Sequence, residues 1–278
     1  MKATILGVAV VAGLVPLTAT PAQAAPKIDP VRALKAELTR GNAVNVQSTA
    51  KVTYAAGQYA TSTLDGTIGF DTRGAAAADV AHTLEYSKGL LPGMKKAHPE
   101  ETEALRQGPV RTIASGKVSY VSGPVVDAGL PPSASWVRYG GTDVPSGNLL
   151  LDVLEPATLK TLLAHRTSAG GMVVKGTIKA SELAKVSSSF VDRYGTGGKK
   201  GHAGKVSYTL WFGEGGLVER LSAKGVLTFA KTSIQVESET RYSDWGRQVT
   251  VLLPLEGDVV DRDEIADAVP ADAPGIWS

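Results

Sequence analysis

The amino-acid sequence predicts an α+β fold in which about eleven strands form one antiparallel sheet, accompanied by about four short helices. Segments that alternate between apolar and polar residues recur along most of the chain, and glycine-containing turns separate them. Only one stretch, from Asn148 to Arg166, has strong helical periodicity. Because a twisted sheet of this size curls, we expect one strongly curved sheet in a single domain over residues 25–278.

The first 24 residues have the features of a secretory signal peptide. Lys2 precedes an apolar run from Ile5 to Leu17, and the small residues from Ala22 to Ala24 predict cleavage after Ala24. The apolar run contains Pro16 and is too short for a membrane span, which needs about 20 residues. We therefore expect a secreted protein, extracellular or associated with the cell wall, whose contact with membranes is at most transient.

The composition disfavours several classes of function. The chain has no cysteine, which excludes disulfides, thiolate metal sites, a cysteine nucleophile and a lipidated cysteine anchor. Its 29 basic and 27 acidic residues give a formal charge of +2, and loss of Lys2 with the signal peptide would leave 28 basic residues and a charge of +1. So balanced a chain offers no electrostatic basis for binding nucleic acid.

The predicted elements begin with a short helix, for which Asp29 is the N-cap and Pro30 the first helical residue. Alternating segments then predict strands at residues 44–54, 64–70, 80–86, 110–114, 117–121, 136–139, 172–178, 206–212 and 217–229, followed by a C-terminal hairpin. The first three strands follow one another directly, which indicates a meander.

Helices are predicted in three further stretches. Pro156 divides the stretch from Asn148 to Arg166 into two helices, because proline inside a helix removes a hydrogen bond. A short helix is predicted from Pro99, and another from Ala180 to Phe190. Gly195 to Gly204 reads GTGGKKGHAG; it lacks the GK[ST] ending of a phosphate-binding loop and is interpreted as a flexible, solvated loop.

The C-terminal stretch from Thr232 to Asp261 predicts a long strand, a turn at Ser243 to Gly246 and a return strand that Pro254 ends. This order of a long strand, an RYSDWG turn, a QVTVLLP strand and a closing VVD resembles the C-terminal signature of the LolA/LppX-like class of actinobacterial secreted and lipid-anchored proteins. The resemblance implies an antiparallel half-barrel whose concave face, covered by short helices, holds an acyl chain or another apolar molecule.

The predicted ligand-binding residues are apolar and aromatic side chains assigned to the inward faces of the strands and helices. They are Tyr54, Ile68, Phe70, Leu84, Tyr86, Tyr120, Leu154, Leu162, Leu210, Phe212 and Tyr242. Such side chains either fill the core or line a cavity that the curvature of the sheet leaves open. A buried tyrosine hydroxyl needs a partner, which a ligand head group or water at the cavity mouth would supply.

No catalytic or metal-binding constellation is recognisable in the sequence. The four histidines, His82, His98, His165 and His202, lie in different predicted elements and lack the spacing of a metal motif. His82 shares the apolar face of its strand, which is typical of a hydrogen-bonded interior histidine.

Acidic residues likewise give no metal site. The run from Asp261 to Asp267 lacks the glycine and the spacing of a calcium loop, and it indicates a solvated terminal helix. Asp71, Asp143 and Asp152 are interpreted as turn or cap residues. We therefore expect no metal and no cofactor.

Taken together, these features favour a secreted, non-enzymatic carrier that binds a lipid or another hydrophobic small molecule. The second hypothesis is an interaction or sensor module of the cell envelope, which has a solid core and binds a protein partner. A hydrolase is the third, and the absence of a recognisable triad disfavours it. Binding of an environment-sensitive fatty-acid probe would discriminate between the first two.

Overall fold

The computed structural model describes residues 29–142, 144–195, 203–229, 232–265, 267 and 269–274, so the predicted signal peptide, Asp143, His202 and most of the glycine-rich loop lie outside the described residues. The strands in this part of the chain are β1 (Asn42–Ala55), β2 (Gln58–Asp71), β3 (Gly74–Tyr86), β4 (Val110–Ser115), β5 (Val118–Ser122), β6 (Trp136–Gly140), β7 (Arg166–Gly170), β8 (Val173–Lys179), β9 (Ala203–Phe212), β10 (Val218–Phe229), β11 (Thr232–Gln248) and β12 (Val259–Asp261). The α-helices are α1 (Pro30–Glu37), α2 (Leu91–Ala97), α3 (Pro99–Gln107), α4 (Pro124–Asp127), α5 (Pro156–Ala164), α6 (Ala180–Leu183) and α7 (Ser188–Tyr194).

All twelve described strands belong to one open, curved sheet with the order β12-β6-β5-β4-β3-β2-β1-β11-β10-β9-β8-β7. Every neighbouring pair is antiparallel except β6 and β12, which are parallel. The predicted fold class, an α+β half-barrel with short helices, is thereby confirmed. Two of the described strands were not predicted: β7, in which all five residues are exposed and no alternation is present, and β12, which has only three residues.

The meander of β1, β2 and β3 follows the predicted alternation. Val44, Val46 and Val52 are buried on one face of β1, while Gln47 and Lys51 point to solvent on the other. Asp29 caps α1 as predicted, with its carboxylate accepting hydrogen bonds from two backbone N–H groups. These elements follow from local sequence patterns alone.

The predicted C-terminal hairpin is wrong, because β11 continues through the turn-forming residues and ends at Gln248. Where it pairs with the start of β1, three residues from Asp244 to Gly246 lie opposite Val44 alone. The positive φ angles of Asp244 (54°) and Gly246 (76°) accommodate the extra residues, so the sequence that suggested a turn forms a β-bulge. The segment from Val249 to Leu253 is not a strand.

Only the second of the two helices predicted around Pro156 is present, as α5. The preceding segment, residues 148–155, is buried and irregular. The Asn148 side chain accepts a hydrogen bond from the backbone N–H of Leu150 (3.0 Å), and the Asp152 side chain accepts one from Leu154 (2.9 Å). These local side-chain bonds compete with helical hydrogen bonds, which explains the irregular backbone.

The helix predicted from Ala180 to Phe190 is also divided, into α6 and α7. The Ser187 hydroxyl accepts a hydrogen bond from the Phe190 N–H (3.3 Å) and thereby starts α7 as its N-cap. The helix predicted from Pro99 is present as α3.

Two apolar clusters fill the concave side of the sheet. The larger packs α1, α5, α6, α7 and the segment 149–154 against the strands from β1 to β3 and from β8 to β11. The smaller packs α3, α4 and residues of the C-terminal segment against β3, β4, β5 and β6. The helices therefore form a discontinuous cover over the sheet.

A charged pair attaches the C-terminal segment to the edge of the sheet. Arg138 of β6 donates two hydrogen bonds to the carboxylate of Asp261 in β12, at 2.5 and 2.6 Å, and this contact lowers the pKa of Asp261. The Tyr139 hydroxyl donates to the Pro270 carbonyl (3.2 Å), which brings the following residues over the concave face. The predicted terminal helix is only a short 3-10 turn at Arg262–Ile265.

Candidate ligand-binding cleft

A cleft of about 1500 Å³ lies between the concave face of the sheet and its helical cover. Its apolar lining includes Leu64, Phe70, Val80, Tyr139, Val144 and Leu154. These residues come from both apolar clusters or pack against them, so the cleft lies where the two clusters meet.

Phe70, near the end of β2, forms part of the apolar floor. Its ring is stacked on that of Trp245, with centroids 6.0 Å apart and an angle of 14° between the ring planes. The Trp245 indole N–H donates to the Val218 carbonyl (3.0 Å), which fixes the indole on the sheet. The bulge in β11 therefore supports the floor of the cleft.

Three polar residues on neighbouring strands interrupt this floor: His82 on β3, Thr112 on β4 and Ser119 on β5. Thr112 pairs with Val80, two residues before His82, so the two polar side chains are diagonal neighbours on one face. Ser119 pairs with Ala114, two residues after Thr112, and continues the diagonal. We call these three residues the polar stripe; each diagonal step covers roughly 7–8 Å.

His82 is a deeply buried titratable residue of the floor, only 4% exposed. Its Nε2 atom has no hydrogen-bond partner among the described residues. Burial lowers the pKa of the imidazole to about 4, because removal from water disfavours the charged form. The ring is therefore neutral at pH 7. The predicted burial on the apolar face is confirmed, whereas Nε2 lacks the expected hydrogen bond.

Asp152 lies in the opposite wall, which the helical cover forms, and it is 8% exposed. Burial, reinforced by the nearby Glu155, raises the pKa of Asp152 to about 7. The Glu155 carboxylate accepts hydrogen bonds from the hydroxyls of Thr158 and Ser188, both at 2.7 Å, and from the Ser189 N–H at 3.1 Å. Asp152 is a turn residue, as predicted, because its carboxylate accepts a hydrogen bond from the Leu154 N–H; its burial in a cleft wall was not predicted.

Arg193 of α7 also belongs to this wall. Its guanidinium donates to the carbonyls of Asn148 (3.1 Å) and Leu149 (2.8 Å) and to the Ser146 hydroxyl (2.7 Å). Asn148 in turn donates to the Thr240 hydroxyl of β11 (2.9 Å). The hydrogen bonds of Arg193 and Asn148 therefore fix the irregular segment before α5 against α7 and β11.

The structure separates the predicted ligand-binding residues into four groups. Phe70 and Leu154 line the cleft. The larger cluster contains Ile68, Leu162, Leu210, Phe212 and Tyr242, none of which is among the described lining residues. Leu84 and Tyr86 belong to the smaller cluster or pack against it. Tyr54 and Tyr120 belong to neither cluster and are not among the described lining residues.

Tyr54 is more exposed than predicted, and the predicted inward position of Tyr120 is wrong. Tyr54 lies at the end of β1 and is 42% exposed. Tyr120 pairs with Ile113 and Arg138, on the face of β5 opposite to Ser119, so it lies on the outer side of the sheet. Buried residues occur on both faces of β5, and alternation alone therefore assigned the wrong face.

No pattern in the sequence identifies Thr112 and Ser119 as site residues, because their position depends on the register of three strands. His82 and Asp152 carried a weaker signal, since each is a polar residue among apolar neighbours. Within the described ranges, no group of three histidine, aspartate or glutamate side chains is placed to hold a metal ion. Among the same residues, no helix has the length and apolar character needed to cross a membrane.

Comparisons with known proteins reveal only distant similarity. No family model matches the chain, and no curated protein matches it. A de novo designed transmembrane β-barrel is 5% identical over 74% of this chain and 98% of its own, with a TM-score of 0.20. Lipovitellin, in a structure concerning lipid–protein interactions, is 9% identical over 78% of this chain and 26% of its own, with a TM-score of 0.26.

A LolA superfamily protein from Nitrosomonas europaea is 11% identical over 81% of this chain and 93% of its own, with a TM-score of 0.25. TM-scores this low carry no argument about function, and membership of the LolA/LppX-like class stays a prediction. The function is therefore inferred from the cleft itself.

Proposed function

We propose that the protein is a non-enzymatic carrier that binds a lipid or another molecule with a long apolar chain in the cleft. The main support for this proposal is the cleft of about 1500 Å³, which has an apolar floor and lies between a curved sheet and short helices. Sites for compact small molecules measure roughly 300–1,000 Å³, so this volume favours an extended ligand. Export through the predicted signal peptide would place the carrier outside the cytoplasm.

The chemistry of the lining supports binding rather than catalysis. A nucleophilic mechanism needs a hydroxyl within hydrogen-bond reach of a base. His82 Nε2 contacts no such hydroxyl in the described part of the chain. Glu155 does accept from the Ser188 hydroxyl, but it also accepts from the Thr158 hydroxyl and the Ser189 N–H, so this set of hydrogen bonds joins α5 to α7 and holds the cover in place. Bound ligand would therefore be released unchanged.

Diphenylhexatriene, a hydrocarbon whose fluorescence rises in apolar surroundings, tests the proposal directly. Ala157 of α5 is exposed and lines the cleft, whereas Ala164 is exposed on the same helix and does not line it. An Ala157→Trp substitution should weaken probe binding about tenfold, because loss of about 60 Å² of apolar contact has that effect at roughly 25 cal/mol/Å².

The matched variant Ala164→Trp adds the same indole outside the cleft and should leave the affinity within about twofold of wild-type. Equal effects of both substitutions, or none of either, would refute the cleft as the binding site. Circular dichroism would establish that both variants are folded.

A second candidate function is protein binding, which one exposed apolar segment favours. Leu252 and Leu255 are each 75% exposed and Leu253 is 48% exposed, in the connection between β11 and β12. Exposed leucines this close together are characteristic of interaction surfaces. A folded protein that binds no diphenylhexatriene would support an interaction module in place of a carrier.

A further inference from the structure

The polar stripe is unexplained by binding of an apolar chain alone. His82, Thr112 and Ser119 are 4%, 7% and 2% exposed, and all three lie in the lining of the cleft. Burying polar atoms costs free energy unless they form hydrogen bonds, so a polar line across an apolar floor indicates a bound group that is itself polar.

His82 provides the clearest indication. Its side chain is more than nine-tenths buried, and Nε2 has no partner among the described residues. Ser119, at the other end of the stripe, already accepts a hydrogen bond from the Thr142 hydroxyl (2.8 Å). The part of the stripe that can bind an additional group is therefore the His82 end, with Thr112 one diagonal step away.

The charges around the cleft disfavour a strongly charged head group. Lining side chains of both signs are present, and several are already paired with protein groups: Arg73 with Asp71 (2.9 Å), Arg193 with backbone carbonyls and Glu155 with hydroxyls. A neutral imidazole and a hydroxyl can each donate or accept one hydrogen bond, which suits a carbonyl or hydroxyl group on the ligand.

We propose that the polar stripe binds the uncharged, hydrogen-bonding head of an amphipathic lipid, an ester carbonyl or a hydroxyl, at His82 Nε2 and Thr112 Oγ1. The acyl chain of the same molecule lies along the floor formed by Leu64, Phe70 and Val80. This assignment rests on the proposed carrier function and specifies the ligand class for the same cleft.

The test compares two probes on the full chain: diphenylhexatriene, which has no hydrogen-bonding group, and monododecanoylglycerol, which displaces it and carries ester and hydroxyl groups. The His82→Leu variant should weaken binding of monododecanoylglycerol about tenfold more than binding of diphenylhexatriene, since one buried hydrogen bond contributes about that factor. The Thr112→Val variant should weaken binding of monododecanoylglycerol about fivefold more than binding of diphenylhexatriene.

Thr83→Val is the matched control for Thr112→Val. Thr83 adjoins His82 in β3, but its side chain lies on the outer face, where it forms a hydrogen bond with the Thr63 hydroxyl (2.6 Å). This variant should bind both probes as the wild-type does.

The possible outcomes distinguish the two proposals. If diphenylhexatriene binds and His82→Leu and Thr112→Val leave monododecanoylglycerol unchanged, or weaken both probes equally, the polar stripe is not a head-group site. If wild-type protein binds neither probe, the carrier function and the head-group site are both refuted. Selective loss of monododecanoylglycerol in both variants would establish the site.

Discussion

Replacing His82 by leucine should change how the stability of the protein depends on pH. In the folded state the pKa of His82 is about 4, against an ordinary value of 6.5. The unfolded chain therefore takes up a proton between pH 6.5 and 4 that the folded protein does not, and stability is lost as the pH falls through this range. One pKa unit corresponds to about 1.36 kcal/mol, so the full loss is about 3 kcal/mol.

The titration of Asp152 changes the stability of the protein with pH in the direction opposite to that of His82. Its pKa is about 7 in the folded state and 3.8 ordinarily, so its contribution is fully present below pH 3.8 and is lost as the pH rises to about 7. Between pH 4 and 6.5 the two groups nearly cancel in the wild-type. Removing His82 leaves the contribution of Asp152 alone, and the stability of the His82→Leu variant should therefore fall as the pH rises from 4 to 7.

Urea unfolding followed by circular dichroism, at several values between pH 4 and 7.5, measures this effect. The free energy of unfolding of His82→Leu minus that of the wild-type should be about 3 kcal/mol larger at pH 4 than at pH 7.5, because groups common to both proteins cancel in the difference. Thr83→Val, which removes no titratable group, should show no such change. A difference for His82→Leu that is constant across the range would refute the burial of a neutral imidazole.

Three further substitutions test the fold beneath the cleft. Leu210→Ala should lower the free energy of unfolding by about 2–5 kcal/mol in urea, because the side chain is fully buried, yet retain probe binding, since Leu210 is outside the lining. Asn148→Ala should cost about 2–3 kcal/mol in the same assay by leaving buried N–H groups, including that of Leu150, without an acceptor. Gly66→Ala should lower the melting temperature by several degrees, because φ is 156° and a Cβ would collide with the Asp79 carbonyl. Wild-type stability in any of these variants would contradict the packing described for that residue.

The sheet was largely predictable because its signals are local. Alternation of the type seen around Val46 and Val52, bounded by glycine turns such as Gly57, predicted most of the strands in sequence order. The predictions that were wrong concern segments in which tertiary contacts override the local sequence pattern. Asp244 and Gly246 have the residue types of a turn, but pairing with β1 draws them into a bulge.

The candidate site was less predictable, because its composition depends on which residues the helical cover leaves uncovered. Phe70 and Leu154 line the cleft, whereas Leu210 and Leu162 carry the same apolar signal and are covered by packing. The polar stripe requires the register of β3, β4 and β5, which no single segment encodes. A buried position for Asp152 likewise depends on the irregular segment around it.

Native mass spectrometry of the protein purified from the cells that produce it tests the central claim most directly. The carrier function predicts a complex with one bound lipid, released on denaturation and identifiable after organic extraction as a molecule with an acyl chain and an uncharged carbonyl or hydroxyl group. A mass equal to that of the polypeptide alone, from folded protein that also binds no diphenylhexatriene, would contradict it.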